Sequence, residues 1–144
     1  MSNVKQNKAF VKKMNKLDSK IPSVNLSRQW LFALKNTRKS FGSGSKTGKW
    51  CIFLDESVVD SAWKKITEGT ENGNLGEAAK VSTKLQSISY DNVYLICVYT
   101  QDFNDKVEIL RVRESLRDLG FIDPIKYKRD IDTRNGIDQY IYTV

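Results

Sequence analysis

The pattern of apolar and polar residues divides the chain into six strand-like segments and two longer helices. Short apolar or alternating runs predict strands at 29–35, 48–54, 77–83, 93–100, 124–129 and 138–143. Apolar residues at helical spacing predict helices over 57–68 and 105–119. Their expected core-facing residues are Val59, Ala62, Trp63 and Ile66 in the first, and Val107, Leu110, Leu116 and Leu119 in the second.

The order of these elements predicts the fold class. Strands in adjacent pairs, separated by helices, are typical of an α+β fold with a curved, mainly antiparallel sheet of about six strands and helices on one face. We expect residues 25–144 to form this single domain, with residues 1–24 as a basic arm or short helix. The side chains expected between sheet and helices are Trp63, Ile66, Leu95, Val98, Leu110 and Leu116.

Residues that favour helix ends mark the limits of both helices. A capping box that opens at Ser57 begins the first helix, which is expected to end near Gly69. Asn104 or Asp105 caps the second helix, and Gly120 ends it in a left-handed conformation. Residues 130–136 are expected to form a loop between the last two strands.

Composition narrows the possible chemistry. The chain contains no histidine, which excludes Ser-His-Asp and Cys-His catalysis and any histidine-ligated metal. The two cysteines, Cys51 and Cys97, lie in apolar strand segments and are interpreted as buried thiols. We therefore expect no metal, no cofactor and no catalytic residue, which makes an enzyme the less favoured class.

Charge is distributed unevenly along the chain. Residues 1–50 hold twelve Lys and Arg and one acidic residue, a net charge of +11, whereas the remaining residues carry −4. A basic segment on a mildly acidic body indicates an anionic partner, and a solvated tail is the alternative. No apolar run approaches the roughly 20 residues that span a bilayer, so we expect no membrane partner and a cytoplasmic location.

Four motifs in order carry a resemblance to known proteins. They are Gly48-Lys49-Trp50, Asp60-Ser61-Ala62-Trp63, the Ala79–Thr83 strand and the Tyr127–Gly136 loop. The first two resemble the Gly-Arg-Trp strand and Asp-x-x-Trp helix of cap-binding translation initiation factors. The closer likeness, from about Arg28 to Tyr142, is to the basophilic-leukaemia-expressed protein family, which is believed to share that fold.

The resemblance implies a phosphate-binding site but not recognition of an mRNA cap. Cap-binding factors hold methylated guanine between two tryptophans, whereas residues 31–47 contain no Trp and Trp30 comes too early. The phosphate-binding strand aligns with residues 76–84, where Ser82 replaces an Arg, Lys84 keeps a Lys and Lys80 adds a cation. Tyr99 replaces a Trp that touches the base, and Arg134 lies near a late phosphate-contacting Lys.

These residues define the expected ligand site. Side chains at 80, 82 and 84 would share one strand face with Tyr99, because successive residues of a strand alternate. Lys128 and Arg134 would close the rim, and Trp50 would supply an aromatic surface unless it packs in the core. The full set of expected ligand-binding residues is Trp50, Lys80, Ser82, Lys84, Tyr99, Lys128 and Arg134.

Three functions remain open on the sequence, and a fourth, a protein-interaction adaptor that uses the helical side of the sheet, has no exposed apolar stripe that can be assigned to it. The first is non-catalytic binding, or sequestration, of a nucleotide-like or phosphorylated small molecule, as in viral anti-defence proteins. The second is general binding of RNA or single-stranded nucleic acid through the basic arm. The third is a lyase-type enzyme that uses Lys80 as its base, although the chain has no histidine to act as the customary partner acid. The oligomeric state is not predicted.

Overall fold

The computed structural model describes residues 20–87 and 91–144. Its strands are β1 (Trp30–Leu34), β2 (Gly48–Leu54), β3 (Ala78–Ser82), β4 (Tyr94–Thr100), β5 (Lys126–Arg129) and β6 (Tyr142–Thr143). Its helices are α1 (Glu56–Glu71), α2 (Lys84–Ser87), α3 (Lys106–Asp118) and α4 (Asp130–Arg134). The predicted order of strands and long helices is confirmed. The two short helices were not predicted, and α4 occupies the segment that was expected to be a loop.

All six strands form one antiparallel sheet in the order β1-β3-β4-β2-β5-β6. The apolar strand β4 lies near the centre, with β3 on one side and β2 on the other. This arrangement confirms the predicted α+β class with a curved antiparallel sheet.

Helices α1 and α3 cover one face of the sheet. Alternate strand residues point towards them and form the main core, which includes Trp50 and Ile52 of β2 and Ile96 and Val98 of β4. Trp63 of α1 packs in the same core, as predicted. Leu95, which was expected between the layers, belongs to the opposite face, because it alternates with Tyr94 and Ile96 along β4.

The buried stripe of α3 differs from the predicted one. Of the predicted residues, Leu116 faces the core and Leu119 is half-buried against it, whereas Val107 is 83% exposed and Leu110 is 36% exposed. Ile109 and Val112 face the core in their place. Both stripes have helical spacing, so periodicity alone did not separate them. The buried stripe also contains Arg113.

Arg113 is buried because its guanidinium group finds three backbone partners. It donates hydrogen bonds to the carbonyl oxygens of Phe121, Asp123 and Val144 at 2.8–3.0 Å. Each of its three nitrogens therefore has a hydrogen-bond partner, which offsets the cost of burying the cation. The side chain joins α3 to the following loop and to residue 144, which follows β6.

Aspartate side chains cap the N-termini of both long helices, but the cap of α1 is not the predicted residue. The N-cap of α1 is Asp55, whose carboxylate accepts a hydrogen bond from the Ser57 backbone N–H, so the predicted cap at Ser57 is wrong by two residues. Helix α1 continues past Gly69 to Glu71. Asp105 caps α3, and Gly120 follows this helix with a φ of 103°.

The segment before β1 is attached to the helical side of the domain. The Ser23 backbone N–H and hydroxyl donate to the carboxylate of Asp60, and the Pro22 carbonyl accepts from the backbone N–H of Lys84. The basic arm or short helix expected over residues 1–24 falls mostly outside the described residues. Within 20–87 and 91–144, none of the helices has the length and apolar character that would let it cross a bilayer.

Candidate functional site

The sheet face opposite α1 and α3 carries the candidate site, and we call it the open face. The strand register places its side chains in two rows that run across the sheet. One row is Phe32, Lys80, Cys97, Cys51 and Lys126, and the neighbouring row is Leu34, Ala78, Tyr99, Lys49 and Lys128. Four lysines from three strands therefore share this face.

Lys80 lies among aromatic rings. Its Nζ is 4.0 Å from the centre of the Trp30 ring and 6.0 Å from that of Tyr99. Cation–π contact of this kind holds an ammonium group over a ring without neutralising its charge. Lys80 is therefore positioned at the side of β3 with its charge retained.

Two further lysines of the open face lie on β5. Lys126 and Lys128 place their Nζ atoms 5.0 and 5.5 Å from the centre of the Tyr140 ring. Because both lysines point to the same side of the strand, their charges add on the open face. Burial raises the pKa of the Tyr140 hydroxyl, so this group stays neutral near pH 7.

Lys49 differs from the other three lysines because it forms a buried ion pair. Its Nζ donates a hydrogen bond to Oδ1 of Asp130, the first residue of α4, and Ser43 donates to Oδ2. Burial by itself raises the pKa of Asp130, but the bonds from Lys49 and Ser43 outweigh it and leave the pKa below its usual value. The pair attaches α4 and the loop between β1 and β2 to the open face.

A cavity of about 380 Å³ lies at the β1–β3 side of the open face. Its aromatic walls are Phe32, which is largely exposed, and Phe41, whose ring centre lies 5.2 Å from that of Tyr99. Ala78 also lines the cavity, and Lys80 supplies a cation at its wall. An apolar slot with a cation beside it suits a flat aromatic group that carries a phosphate.

Four of the predicted residues point to the open face. Lys80, Tyr99 and Lys128 lie on it, as the alternation of their strands predicts. Tyr99 is only 6% exposed because Phe41 packs on it, and burial raises the pKa of its hydroxyl far above the ordinary value. Ser82 alternates onto the same side but is buried, and its Oγ accepts a hydrogen bond from the Leu95 backbone N–H.

Lys84 is not on the open face, so its predicted placement was wrong. Strand β3 ends at Ser82, the chain turns at Thr83, and Lys84 begins α2. Its Nζ lies 2.9 Å from Oε1 of Glu56, at the start of α1. The alternation of side chains applies only within a strand, which is why residue 84 does not follow residues 80 and 82.

Trp50 belongs to the core, which is the second of the two positions that the sequence left open for it. It is 0% exposed, and its indole N–H donates to the Ile109 carbonyl oxygen at 3.0 Å. The neighbouring Gly48 has a packing role as well, since a Cβ there would lie 1.9 Å from the hydroxyl oxygen of Tyr127. The Gly-Lys-Trp motif is thus structural at its first and third positions, whereas Lys49 faces the site.

Arg134 lies in α4, beside the loop between β1 and β2. Its side chain is exposed and donates to the Gly44 carbonyl oxygen at 3.2 Å. This places it near the same end of the sheet as the Lys49–Asp130 pair, because Ser43 contacts Asp130. A role for Arg134 in binding remains a prediction.

Six residues of the site were not predicted: Trp30, Phe32, Phe41, Lys49, Lys126 and Asp130. The alternation of β1 and β2 carries enough signal to place Phe32 and Lys49 on the open face. Phe41 belongs to a loop, and Asp130 reaches Lys49 through a separation of 81 residues, so no local pattern indicates either contact.

A larger cavity lies beside α1, shares Phe32 with the first cavity and has a different character. It measures about 830 Å³ and lies between α1 and the segment at 20–32. Its charged lining is balanced, with Lys20, Arg28 and Lys64 against Asp60, Glu68 and Glu71. This cavity therefore attracts an anion less strongly than the open face does.

The chain belongs to the Basophilic leukemia-expressed protein Bles03 family, whose model matches residues 5–134. Its fold is similar to those of solved eIF4E proteins. A schistosome eIF4E complexed with m7GpppA and 4E-BP gives a TM-score of 0.56 at 14% identity, over 78% of this chain and 75% of that one.

Two nematode structures give similar values. The C. elegans eIF4E-3 complex with the 4E-binding protein Mextli and cap analog has a TM-score of 0.54 at 14% identity. Ascaris suum eIF4E-3 with m2,2,7G cap has a TM-score of 0.53 at 16% identity. Each match covers 71% of this chain and 59% of the nematode protein, so the chain spans less than two thirds of their length. At these identities the likeness shows the fold.

Proposed function

We propose that the protein binds a nucleotide-like phosphorylated ligand on its open face without catalysing a reaction. The base would enter the cavity between Phe32 and Phe41, and Lys80 would bind the phosphate. Lys128 and Arg134 are the proposed secondary contacts at the rim. Lys84, Ser82 and Trp50 are left out of this site because each is engaged elsewhere.

The observation that carries the proposal is the uncompensated charge of the open face. No carboxylate within 20–87 or 91–144 forms an ion pair with Lys80, Lys126 or Lys128, whereas Lys49 is paired with Asp130. Three ammonium groups on one face attract an anion, and an ammonium–phosphate contact is a strong charge-assisted hydrogen bond.

The aromatic residues of the same face support a base rather than a bare phosphate. A base stacks on a π-face without any requirement for its identity, and each such contact contributes about 1–3 kcal/mol. Phe32 offers a largely exposed ring, and Trp30 offers a half-buried one beside Lys80. The eIF4E proteins of similar fold were solved with cap nucleotides, which supports a nucleotide as the class of ligand.

Sequestration of a nucleotide signal, as viral anti-defence proteins achieve it, is the biological form of this proposal. It requires tight binding in a cytoplasmic location, which remains a prediction. General RNA binding is the alternative, and the net charge of +11 over residues 1–50 favours it. The two differ in salt dependence, because each phosphate neutralised by an RNA-binding protein makes the affinity fall more steeply with salt.

A thermal-shift screen tests the proposal. The screen would include mononucleotides, dinucleotides, cyclic nucleotides, cap analogues and short single-stranded RNAs, each at low and at physiological salt. A ligand at 100 times its Kd stabilises the folded protein by about 2.7 kcal/mol, which is seen as a higher Tm. We expect a nucleotide to raise Tm at both salt concentrations. Stabilisation only by RNA, and only at low salt, would favour the alternative.

A further inference from the structure

We propose that Cys51 and Cys97 form a reversible dithiol–disulfide site on the open face, which a hydroperoxide oxidises. The two residues are direct cross-strand partners of β2 and β4, and they are the only cysteines of the chain. Their side chains point to the same side of the sheet, away from the helices. The proposal concerns a covalent modification and does not depend on the nucleotide-binding function.

The backbone register permits the bond. Thr47 directly precedes β2, and Asp130 directly follows β5. The Asp130 backbone N–H donates to the Thr47 carbonyl oxygen. The backbone N–H and C=O groups of successive residues point to opposite sides of a strand. Cys51 is four residues from Thr47, so its backbone groups also point towards β5. Cys51 and Cys97 are therefore a non-hydrogen-bonded pair, in which Cα atoms lie about 4.5 Å apart. Disulfides span Cα separations from roughly 4.4 to 6.8 Å, so the strands need not separate.

The two thiols differ in access. Cys51 is 5% exposed and belongs to the lining of a cavity of about 600 Å³, which is bounded mainly by residues 51–54 of β2, by α1 and by residues 119–126. Cys97 is 1% exposed and is not part of that lining. A small oxidant thus reaches Cys51 first.

The pKa shifts of the two thiols also favour Cys51 as the first residue to be oxidised. The hydrogen bond from Cys97 lowers the pKa of the Cys51 thiol, with help from Lys49, Lys128 and Lys80, and these effects outweigh burial. The bond to Cys51 and burial both raise the pKa of Cys97. Cys51 therefore loses its proton more readily than Cys97, and the thiolate is the nucleophile in thiol oxidation.

The reaction balances with the hydroperoxide as the two-electron oxidant. The Cys51 thiolate attacks one peroxide oxygen, the O–O bond breaks, and the leaving hydroxide or alkoxide takes a proton, which leaves a sulfenic acid on Cys51. The Cys97 sulfur then attacks the Cys51 sulfur and the S–O bond breaks. Water leaves with the proton of Cys97, and a disulfide remains.

Thiol counting on the folded protein tests the proposal. After hydrogen peroxide treatment and denaturation, we expect the two thiols to be lost together, a monomer on a non-reducing gel, and recovery of both thiols with dithiothreitol. Peptide mapping should show Cys51 linked to Cys97. Two free thiols under excess peroxide, or disulfide-linked dimers, would overturn the proposal.

Two matched variants test the order of attack. Cys97→Ser should accumulate a sulfenic acid on Cys51, which dimedone traps. In Cys51→Ser, the remaining Cys97 thiol should react with peroxide at least roughly tenfold more slowly. Equal peroxide reactivity of the two variants would overturn the assignment of Cys51 as the attacking residue. If either variant fails to fold, peptide mapping of the parent during partial oxidation, with dimedone present, still identifies which cysteine carries the first adduct.

Discussion

Lys49 and Asp130 form a buried ion pair, with Nζ 2.5 Å from Oδ1 and both side chains largely removed from solvent. The pair joins β2 to α4 across 81 residues of sequence and contacts the loop between β1 and β2 through Ser43. It neutralises one of the four lysines of the open face and leaves the charge of the other three for a ligand.

Breaking this pair from one side should destabilise the fold. Asp130→Asn leaves Lys49 buried without a counter-charge, and we expect the free energy of unfolding to fall by about 3–5 kcal/mol. Urea unfolding at pH 7 measures this difference. The double variant Lys49→Met/Asp130→Leu is the control, and it should recover most of the loss. A double variant as unstable as the single one would contradict the account.

The same pair predicts a dependence on pH. The pKa of Asp130 is lower in the folded protein, so its stabilising contribution is present above the unfolded value of about 3.9 and is lost as pH falls through the folded pKa. The stability difference between the parent and Asp130→Asn should therefore be largest at neutral pH and shrink below about pH 4. A difference that stays constant down to pH 3 would show that the carboxylate charge contributes nothing.

Arg113 should be more important for stability than any exposed arginine of α3. Arg113→Lys loses the fork that serves three carbonyl groups, and we expect a cost of about 2–5 kcal/mol in the free energy of unfolding. Arg117→Lys is the matched control, because Arg117 pairs with Glu114 at the surface and should change stability by at most about 1 kcal/mol. Similar losses in the two variants would be inconsistent with a buried role for Arg113.

Trp30 should report ligand binding by fluorescence. Of the three tryptophans, Trp50 and Trp63 are buried in the core, whereas Trp30 lies on the open face beside Lys80. A nucleotide that binds there should quench part of the emission, and Trp30→Phe should abolish the quenching without abolishing affinity. If the quenching persists in Trp30→Phe, the ligand lies elsewhere.

The sequence was sufficient for the order of elements and for the sheet, because strand alternation and helical spacing are local signals. It placed Lys80, Tyr99 and Lys128 on one face for the same reason. It failed for Lys84, where the strand ends two residues earlier, and for the α3 stripe, where two helical spacings compete. Contacts that depend on distant residues, such as Phe41 on Tyr99, carry no local signal.

The affinity of Lys80→Ala for a nucleotide, compared with that of Lys84→Ala, tests the central claim most directly. The probe is the nucleotide with the largest thermal shift, and isothermal titration calorimetry at physiological salt gives Kd for the parent and both variants. Loss of one charge-assisted phosphate contact costs about 1.5–3 kcal/mol, so Lys80→Ala should bind roughly 10- to 100-fold more weakly. Lys84→Ala removes an equal charge from the Glu56 side of the domain and should bind like the parent. Parent-like affinity in Lys80→Ala, or an equal loss in Lys84→Ala, would contradict a nucleotide site on the open face.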